Sequence, residues 1–492
     1  MNKVVARGAV VNYGAFMCSK LVTFASTVVL ARLLVPKEFG VVGYALLVLG
    51  LLYVLKNFGM GTALIYGQDL DDDRASSLLM VAVVAALIAI LVAWISAPYV
   101  ARFFHDSRIV WVTRVLSFSL LLNALGELHG AQMRKRMRFG RQAIPTVASA
   151  TTKGVCSIGL AVAGLGYWSL VWGQLAGDAV MTAGCWILYP WLPRFRSGLR
   201  SVQHLIRFGM HVAVVEVVLL LLMNVDNVVV GRAEGTAPLG MYDLAYTIPQ
   251  MLTIGLAIAV SQAVYPALAS VQDDHDSIRT NYRAVLRYTA LIILPIGAGL
   301  SVVAPAFVHT FYNHHWWPMI PAARSLALYA ALFAIGWGVG DVHQALGRPD
   351  RQWRLDFVHL AVLVPACIIG VGIGGIAGVA VAQLVVVVPA LAARLWLVHR
   401  VLDLRLSKLL EVLWVPACGA VAIYASCLAV EAIAGSGMSP SLLLATQVLA
   451  GIAVYGVVVL TLDGDLRARL PHRPRAGLDA AAAEPSASRT PT

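Results

Sequence analysis

Apolar stretches about twenty residues long recur along almost the whole sequence, separated by short polar turns, and no other feature restricts the fold as severely. A helix needs roughly 20 residues to cross about 30 Å of hydrocarbon. In lipid, every backbone N–H and C=O must be paired within the protein, which leaves helices or a closed barrel. Stretches this long point to helices, so the expected class is an all-α integral membrane protein. They predict about fourteen transmembrane spans, near residues 10–34, 40–66, 76–100, 109–130, 142–164, 168–189, 207–231, 240–268, 284–305, 320–344, 355–373, 376–399, 411–432 and 440–462. Composition agrees: 59% of the 492 residues are hydrophobic and 13% charged, against roughly 45–50% and about 25% in soluble proteins.

Arginine and lysine orient the spans, because they stay preferentially in cytoplasmic loops. Arg134, Lys135, Arg136, Arg138 and Arg141 follow the fourth span. Later even-numbered spans are followed by Arg194, Arg196 and Arg200, by Arg279 and Arg283, by Arg348, Arg351 and Arg354, and by Arg405 and Lys408. The opposite turns "GLGYW" and "GIGG" carry none. Both termini are therefore expected in the cytoplasm, with the basic amino terminus retained. The net charge of +12 then reports membrane topology, and nucleic acid is not expected as a partner. The acidic loop "GQDLDDDR" is assigned inside, since acids count little in this rule. The tail 464–492, rich in Pro, Ala and Ser, reads as disordered. Cys18, Cys156, Cys185, Cys367, Cys418 and Cys427 are scattered singly, so neither a metal site nor a disulfide framework is expected, and no cofactor is implied.

The chain also repeats itself. "GELHGAQMR" (126–134) and "GDVHQALGR" (340–348) align at an offset of 214. Arg32, Phe39, Gly40 and Ala45 align with Arg232, Leu239, Gly240 and Ala245 at an offset of 200, and "GYWSLVWGQ" (166–174) aligns with "GIAGVAVAQ" (375–383). Matches in one order imply two six-helix lobes, residues 1–199 and 200–405, related by an internal parallel repeat about an axis along the membrane normal. Two extra C-terminal helices, in 406–463, stand outside it.

"VDNVVVGRAEGTAPLGMYDLAYTIPQ" (225–250), "GLGYWSLVWGQLAGD" (164–178) and "ARLLVPKEFGVVGYALLVLGLL" (31–52) resemble the polysaccharide transport family, the Wzx-type lipid-linked oligosaccharide and O-antigen flippases, within the multidrug, oligosaccharidyl-lipid and polysaccharide exporter superfamily. The likeness covers roughly residues 5–460. It implies fourteen helices in two bundles in the bacterial inner membrane, and passage of an undecaprenyl-pyrophosphate-linked oligosaccharide from the cytoplasmic to the periplasmic leaflet, in exopolysaccharide, capsule or O-antigen synthesis. The implied partners are that substrate, membrane lipid, and a polysaccharide polymerase with its export machinery.

Such a substrate carries about two negative charges on its pyrophosphate, and its glycan cannot enter hydrocarbon unaided. Lys20 and Lys153 lie near mid-span and Lys56 in the inner half of its span. An intramembrane lysine costs at least ~2.5–3.5 kcal/mol and faces a cavity or a partner. The three are candidates for facing the pyrophosphate, and a structural ion pair, above all Lys153 with Asp178, is the competing account. Glu127 and Asp341, at matching ends of the fourth and tenth spans beside His129 and His343, are gate candidates, unless they pair locally with Arg134 and Arg348. Asp226, in "MNVDN", falls about 9 Å short of the outer end of its span and is a gate or lobe-linking candidate, with Arg32 or Arg232 as its partner. A cation-coupled multidrug antiporter of the same architecture is the alternative, and would have acids dominate the cavity. An integral membrane glycosyltransferase or polymerase is disfavoured by the short outer loops, and the chain is read as a transporter and not an enzyme. No Walker A run occurs, so the driving force is an ion gradient, the membrane potential or consumption of product.

Overall fold

A computed structural model of the chain describes residues 3–57, 72–135, 139–193, 203–269, 271, 274–346, 349–434 and 437–463. The tail 464–492, most of the acidic loop, and Arg136, Arg138, Arg194, Arg196, Arg200 and Arg348 lie outside the described residues, as do the side chains of Arg134, Lys135, His211 and Arg351. The described residues are helical and contain no strand. The helices are α1 (Lys3–Leu33), α2 (Pro36–Asn57), α3 (Asp72–Phe104), α4 (Arg108–Leu116), α5 (Phe118–Lys135), α6 (Phe139–Val162), α7 (Tyr167–Leu188) and α8 (Gln203–Ala233). They continue with α9 (Thr236–Leu252), α10 (Ile254–Ala269), α11 (His275–Phe311), α12 (Ile320–Ile335), α13 (Gly338–Ala345), α14 (Pro349–Leu402), α15 (Leu406–Ala434) and α16 (Pro440–Leu462).

Where described, the predicted spans fall on helix, the second only as far as Asn57, and several are divided. The fourth breaks at Ser117 between α4 and α5, the eighth at Thr253 between α9 and α10, and the tenth after Ile335. At Thr253 both the backbone N–H and the hydroxyl bond the Pro249 carbonyl, at 3.0 and 2.7 Å. The run α14 covers two predicted spans and turns at Gly374 and Gly375, where a φ of +54° at Gly375 suits glycine alone among ordinary residues. Asp274 extends α11 beyond its predicted start by capping it, its carboxylate accepting the N–H groups of Asp276 and Ser277.

Among the described residues, ten helical segments are long and apolar enough to cross a membrane. The helices α6, α7 and α8 fall outside that group, and they carry Lys153, Asp178 and Asp226. Each of these three helices nevertheless carries an ionisable group within an apolar stretch. Outward positions show the opposite, with Ile373 82% and Ile433 86% exposed while Asp226 is fully buried. A protein with apolar atoms outside and polar ones inside is built for lipid.

In the first half, α1 packs on α6, α6 on α7, α5 on α7, and α2 on α4. In the second, α8 packs on α14, α9 on α12, and α11 on α12. The halves meet where α2 crosses α9. A Cβ on Gly40 would overlap the Thr236 carbonyl, and one on Gly240 would overlap the Pro36 carbonyl. These are reciprocal contacts between positions 200 residues apart: 36 meets 240 and 40 meets 236. Gly40→Ala or Gly240→Ala forces two helix backbones apart, and each should cost about 1–3 kcal/mol. Gly159→Ala, in α6 where nothing lies within 4 Å, should leave the melting temperature of the purified protein unchanged or slightly raised. Thermal unfolding in detergent compares the three, and equal melting temperatures would remove the crossing as a structural constraint.

Candidate functional site

The end of the bundle where α1 finishes, here called the distal end, is closed by side chains reaching from one half to the other, mostly to helix-terminal carbonyls. A helix leaves its last four carbonyls without intrahelical partners. Arg32 Nε donates to the Phe311 carbonyl at 2.8 Å and its Nη2 to that of Thr310 at 2.9 Å, capping the end of α11. In return Trp316 Nε1 donates to the Ala31 carbonyl and Asn313 Nδ2 to that of Arg32, both at 2.8 Å, capping α1. The Tyr44 hydroxyl donates to the Gly231 carbonyl at 2.8 Å, and the Thr236 hydroxyl to Asp106 at 3.0 Å. Phe39 meets Trp316 edge-on at 5.2 Å between ring centres. Two loops frame this end. Gly166 and Gly375 both adopt φ of +54°, and each lies beside a carboxylate: a Cβ on Gly166 would overlap Glu38, and one on Gly375 would touch Glu234 at ordinary contact distance.

Directly inward of the crossing lies a cavity of about 200 Å³. Its walls come from α1, α2, α6 and α7 of the first half and from α9 of the second. Lys153 enters from α6 and Asp243 from α9, so the two halves contribute opposite charges to one space. Thr23, Thr27, Ser157 and Gln174 supply most of the remaining polar lining. The local packing explains why Lys153 projects there. A Cβ on Gly177 would crowd the Lys153 Cβ and one on Gly173 would overlap the Ser157 hydroxyl, so two glycines four residues apart let α7 and α6 approach closely. The Ser149 hydroxyl fixes the contact by donating to the Gly177 carbonyl at 2.8 Å. Thr23 and Thr27 hydroxyls donate to carbonyls one turn back in α1, at 2.8 Å, which leaves their lone pairs to the cavity. Lys153 is exposed to this space, the situation of a side chain standing in a cavity.

The other candidates are distributed differently. Lys20 is half-buried, with its ammonium 5.3 Å from the Phe16 ring, and Lys153 is within its electrostatic reach. Asp178 makes no ion pair with Lys153 among the described residues; it accepts the Ser119 hydroxyl, and Gln174 Nε2 at 3.0 Å. Lys56 is buried and faces Glu127 across α2 and α5 at 3.7 Å, and Glu127 also accepts Asn57 Nδ2 at 3.4 Å. Asp341, the counterpart of Glu127, accepts the Ser261 hydroxyl at 2.5 Å. Asp226 accepts the amide of Gln383, which also donates to the Tyr242 hydroxyl at 3.3 Å. Neither Arg32 nor Arg232 meets it: Arg32 caps α11, and Arg232 lies over the Phe103 ring at 5.4 Å. His129 stacks on Trp186 at 4.3 Å and bonds the Trp191 carbonyl, while His343 bonds the Val339 carbonyl at 2.8 Å.

Sequence reasoning passed over two groups. Asp243 sits in "MYDLAYT" as one acid in an otherwise apolar span, and its importance depends on which helix it faces. Asp356, Arg394 and His359 form a buried cluster between the limbs of α14, with Arg394 Nη2 on Asp356 at 2.7 Å and its guanidinium 5.1 Å from the Phe333 ring. The available signal was an acid and an arginine inside paired apolar spans.

The family described as "Polysaccharide biosynthesis protein" matches residues 29–321. Among curated relatives, the lipopolysaccharide biosynthesis protein WzxC of Escherichia coli (strain K12) is 23% identical over 395 residues, 79% of this chain and 80% of the relative. The teichuronic acid biosynthesis protein TuaB of Bacillus subtilis (strain 168) is 24% identical over 74% of this chain and 76% of its own length. The succinoglycan biosynthesis transport protein ExoT of Rhizobium meliloti (strain 1021) is 24% identical over 63% and 64%. Among solved structures, the lipid II flippase MurJ in an inward closed conformation superposes with a TM-score of 0.76 at 16% identity, over 93% of this chain and 100% of that one. An inward-facing multidrug resistance MATE transporter gives 0.64 at 18% identity, over 82% and 99%.

Removing one member of a buried charge pair leaves the other uncompensated. Glu127→Gln should destabilise the protein by about 2–3 kcal/mol, the low end because Glu127 is partly exposed. Adding Lys56→Met should recover most of that in thermal unfolding. A double variant no more stable than the single one would show that Lys56 is held by something other than Glu127.

Proposed function

Because this chain belongs to the polysaccharide biosynthesis protein family, a family of multi-pass membrane proteins of transport type, we propose that it carries an undecaprenyl-pyrophosphate-linked oligosaccharide from the cytoplasmic to the periplasmic leaflet by alternating access. The observation that carries this reading is the cavity holding Lys153 between the two halves, directly beneath a closed distal end. In this proposal the distal end is periplasmic, the termini are cytoplasmic and the membrane is the bacterial inner membrane. Fourteen spans are supported by adding α6, α7 and α8 to the ten apolar segments and by separating the two limbs of α14. Two six-helix lobes are supported by the reciprocal contact at Gly40 and Gly240 and by the matching pairs Gly166 with Glu38 and Gly375 with Glu234. The helices α15 and α16 lie outside the repeat and pack on α11.

Each residue then has a physical task. Lys153, with Lys20 further along α1, supplies positive potential for the pyrophosphate, whose two charges outweigh the single opposing carboxylate of Asp243. The Ser157 hydroxyl and Gln174 amide offer hydrogen bonds to phosphate or sugar oxygens, and the lone pairs of Thr23 and Thr27, whose protons are used within α1, accept from sugar hydroxyls. A cavity of about 200 Å³ is smaller than the roughly 300–1,000 Å³ of an ordinary ligand site, so a whole repeat unit enters only after the halves move. The distal closure contributes six cross-half hydrogen bonds. At about 0.5–1.5 kcal/mol net each they amount to several kcal/mol. That is the scale, ~5.5 kcal/mol, at which differential binding converts one dominant state into another. The product then passes to a polymerase and its export machinery.

Deleting the gene should leave the lipid-linked repeat unit in the cytoplasmic leaflet, where an impermeant reagent applied from outside cannot reach it. The wild type should restore export, and Lys20→Ala with Lys153→Ala should lower it by tenfold or more (roughly 1.4 kcal/mol per decade) at unchanged protein level. Continued export in the deletion strain with a fall in drug tolerance would replace this reading by the cation-coupled multidrug antiporter.

A further inference from the structure

A second cationic site stands on the outside of the first half, away from the cavity. Along α3, Leu91, Trp94, Ile95, Pro98, Tyr99 and Arg102 recur at helical spacing and line one face of an open groove of about 460 Å³, which Arg114 of α4 completes. The face is uncovered: Leu91 and Ile95 are each 60% exposed and Tyr99 65%. Leu91, Trp94 and Ile95 line its inner part, Tyr99 and Arg102 its distal part, and the Arg114 guanidinium reaches in beside Trp94. Leu91 to Arg102 spans eleven residues, about 16 Å at 1.5 Å per residue, close to the ~15 Å of one leaflet's hydrocarbon.

The arginines are also held and left unneutralised. Pro98 lacks an N–H, so the Trp94 carbonyl one turn back loses its helical donor, and Arg114 Nη2 lies 3.5 Å from it. The Arg114 guanidinium rests near the rings of Trp94 and Trp111, 5.4 and 5.3 Å from their centres, and its Nε is buried without a partner. Neither Arg102 nor Arg114 has a carboxylate within ion-pair distance among the described residues. Three other arginines at this end are engaged: Arg32 caps α11, Arg108 bonds Asp106 at 2.6 Å, and Arg232 lies over Phe103. Two arginines without a carboxylate partner, along a lipid-exposed apolar groove that continues inward to Leu91, match a phosphate headgroup with an acyl chain beneath it.

We propose that this groove binds an anionic glycerophospholipid of the distal leaflet, its phosphate between Arg102 and Arg114 and one acyl chain along Ile95 and Leu91. The site is independent of the transport reading, because it uses no residue of the central cavity. The test is native mass spectrometry of the full-length protein in detergent, titrated separately with phosphatidylglycerol and phosphatidylcholine. Phosphatidylglycerol should be retained in preference. With about 1 kcal/mol per arginine near a lipid surface, Arg102→Gln with Arg114→Gln should weaken its retention about 30-fold, and Arg102→Gln alone, at an exposed position with no contact to lose, about fivefold. Lys37→Gln, an exposed cation at the same end outside the groove, should change nothing. Arg114→Lys keeps the charge and should retain most binding, which separates charge from folding. Equal retention of the two lipids overturns the proposal, as does an unchanged double variant. Displacement by millimolar inorganic phosphate, or retention of a polyprenyl pyrophosphate in place of phosphatidylglycerol, overturns it as well, assigning the arginines to a free anion or to the transported lipid.

Discussion

The backbone contact of α2 with α9 at Gly40 and Gly240 is the constraint on which the rest of the site depends. Only residues without a Cβ let those helices touch, and their contact sets the positions of everything one turn to either side. Distally it brings Arg32, Asn313 and Trp316 to the unpaired carbonyls of the opposite half. Inwardly it places Val42 and Gly43 opposite Asp243 and Thr247, with a cavity between them. Closure and cavity are therefore two consequences of one crossing.

The halves share a scheme and use it differently. Gln174 and Gln383, matched in the internal repeat, each hold a carboxylate, but Gln174 holds Asp178 of its own helix and Gln383 reaches Asp226 on α8. Glu127 pairs with Lys56, and its counterpart Asp341 meets a serine hydroxyl. The first half thus keeps lysines near the central space, while the second surrounds its acid with Tyr242, Tyr246 and Tyr329 in a large packed core. An anion meets an attractive wall on one side and a nearly neutral one on the other, apart from Asp243.

This division explains what could be read from the residues alone. Helix positions were legible because apolar length is a one-dimensional property, and the turn at Gly374 and Gly375 because glycine marks it. Lys153 was legible because a lysine in hydrocarbon demands a reason. The breaks at Ser117 and Thr253 were not, since a kink inside lipid leaves hydropathy unchanged. Asp243 was missed because its meaning lies in the partner it faces across the cavity, and Lys56 was read as facing substrate because Glu127 is 71 positions away. Pairing across helices is information that spacing along one helix does not hold. The match of Gly40 with Gly240 was visible as repetition, but its mutual contact was not.

The chemistry of the interactions separates what can move from what moves as a unit. Apart from Thr236 on the Asp106 carboxylate, the distal bonds join side chains to carbonyls at helix ends, groups that water satisfies equally well once the end opens. Breaking them costs only the modest net value of an exchanged hydrogen bond. The bonds of Asp226 with Gln383 and of Arg394 with Asp356 are buried, and separating either pair would strand a polar group or a charge away from water. In the transport cycle proposed above, opening would be cheapest by releasing the distal caps and sliding α2 against α9, with the second half keeping its internal contacts. A rigid-body movement of this kind is the expected response of packed interiors, which switch between arrangements more readily than they deform. In that cycle the hydrogen bond of Asp226 with Gln383 would keep α8 and α14 together as the halves part.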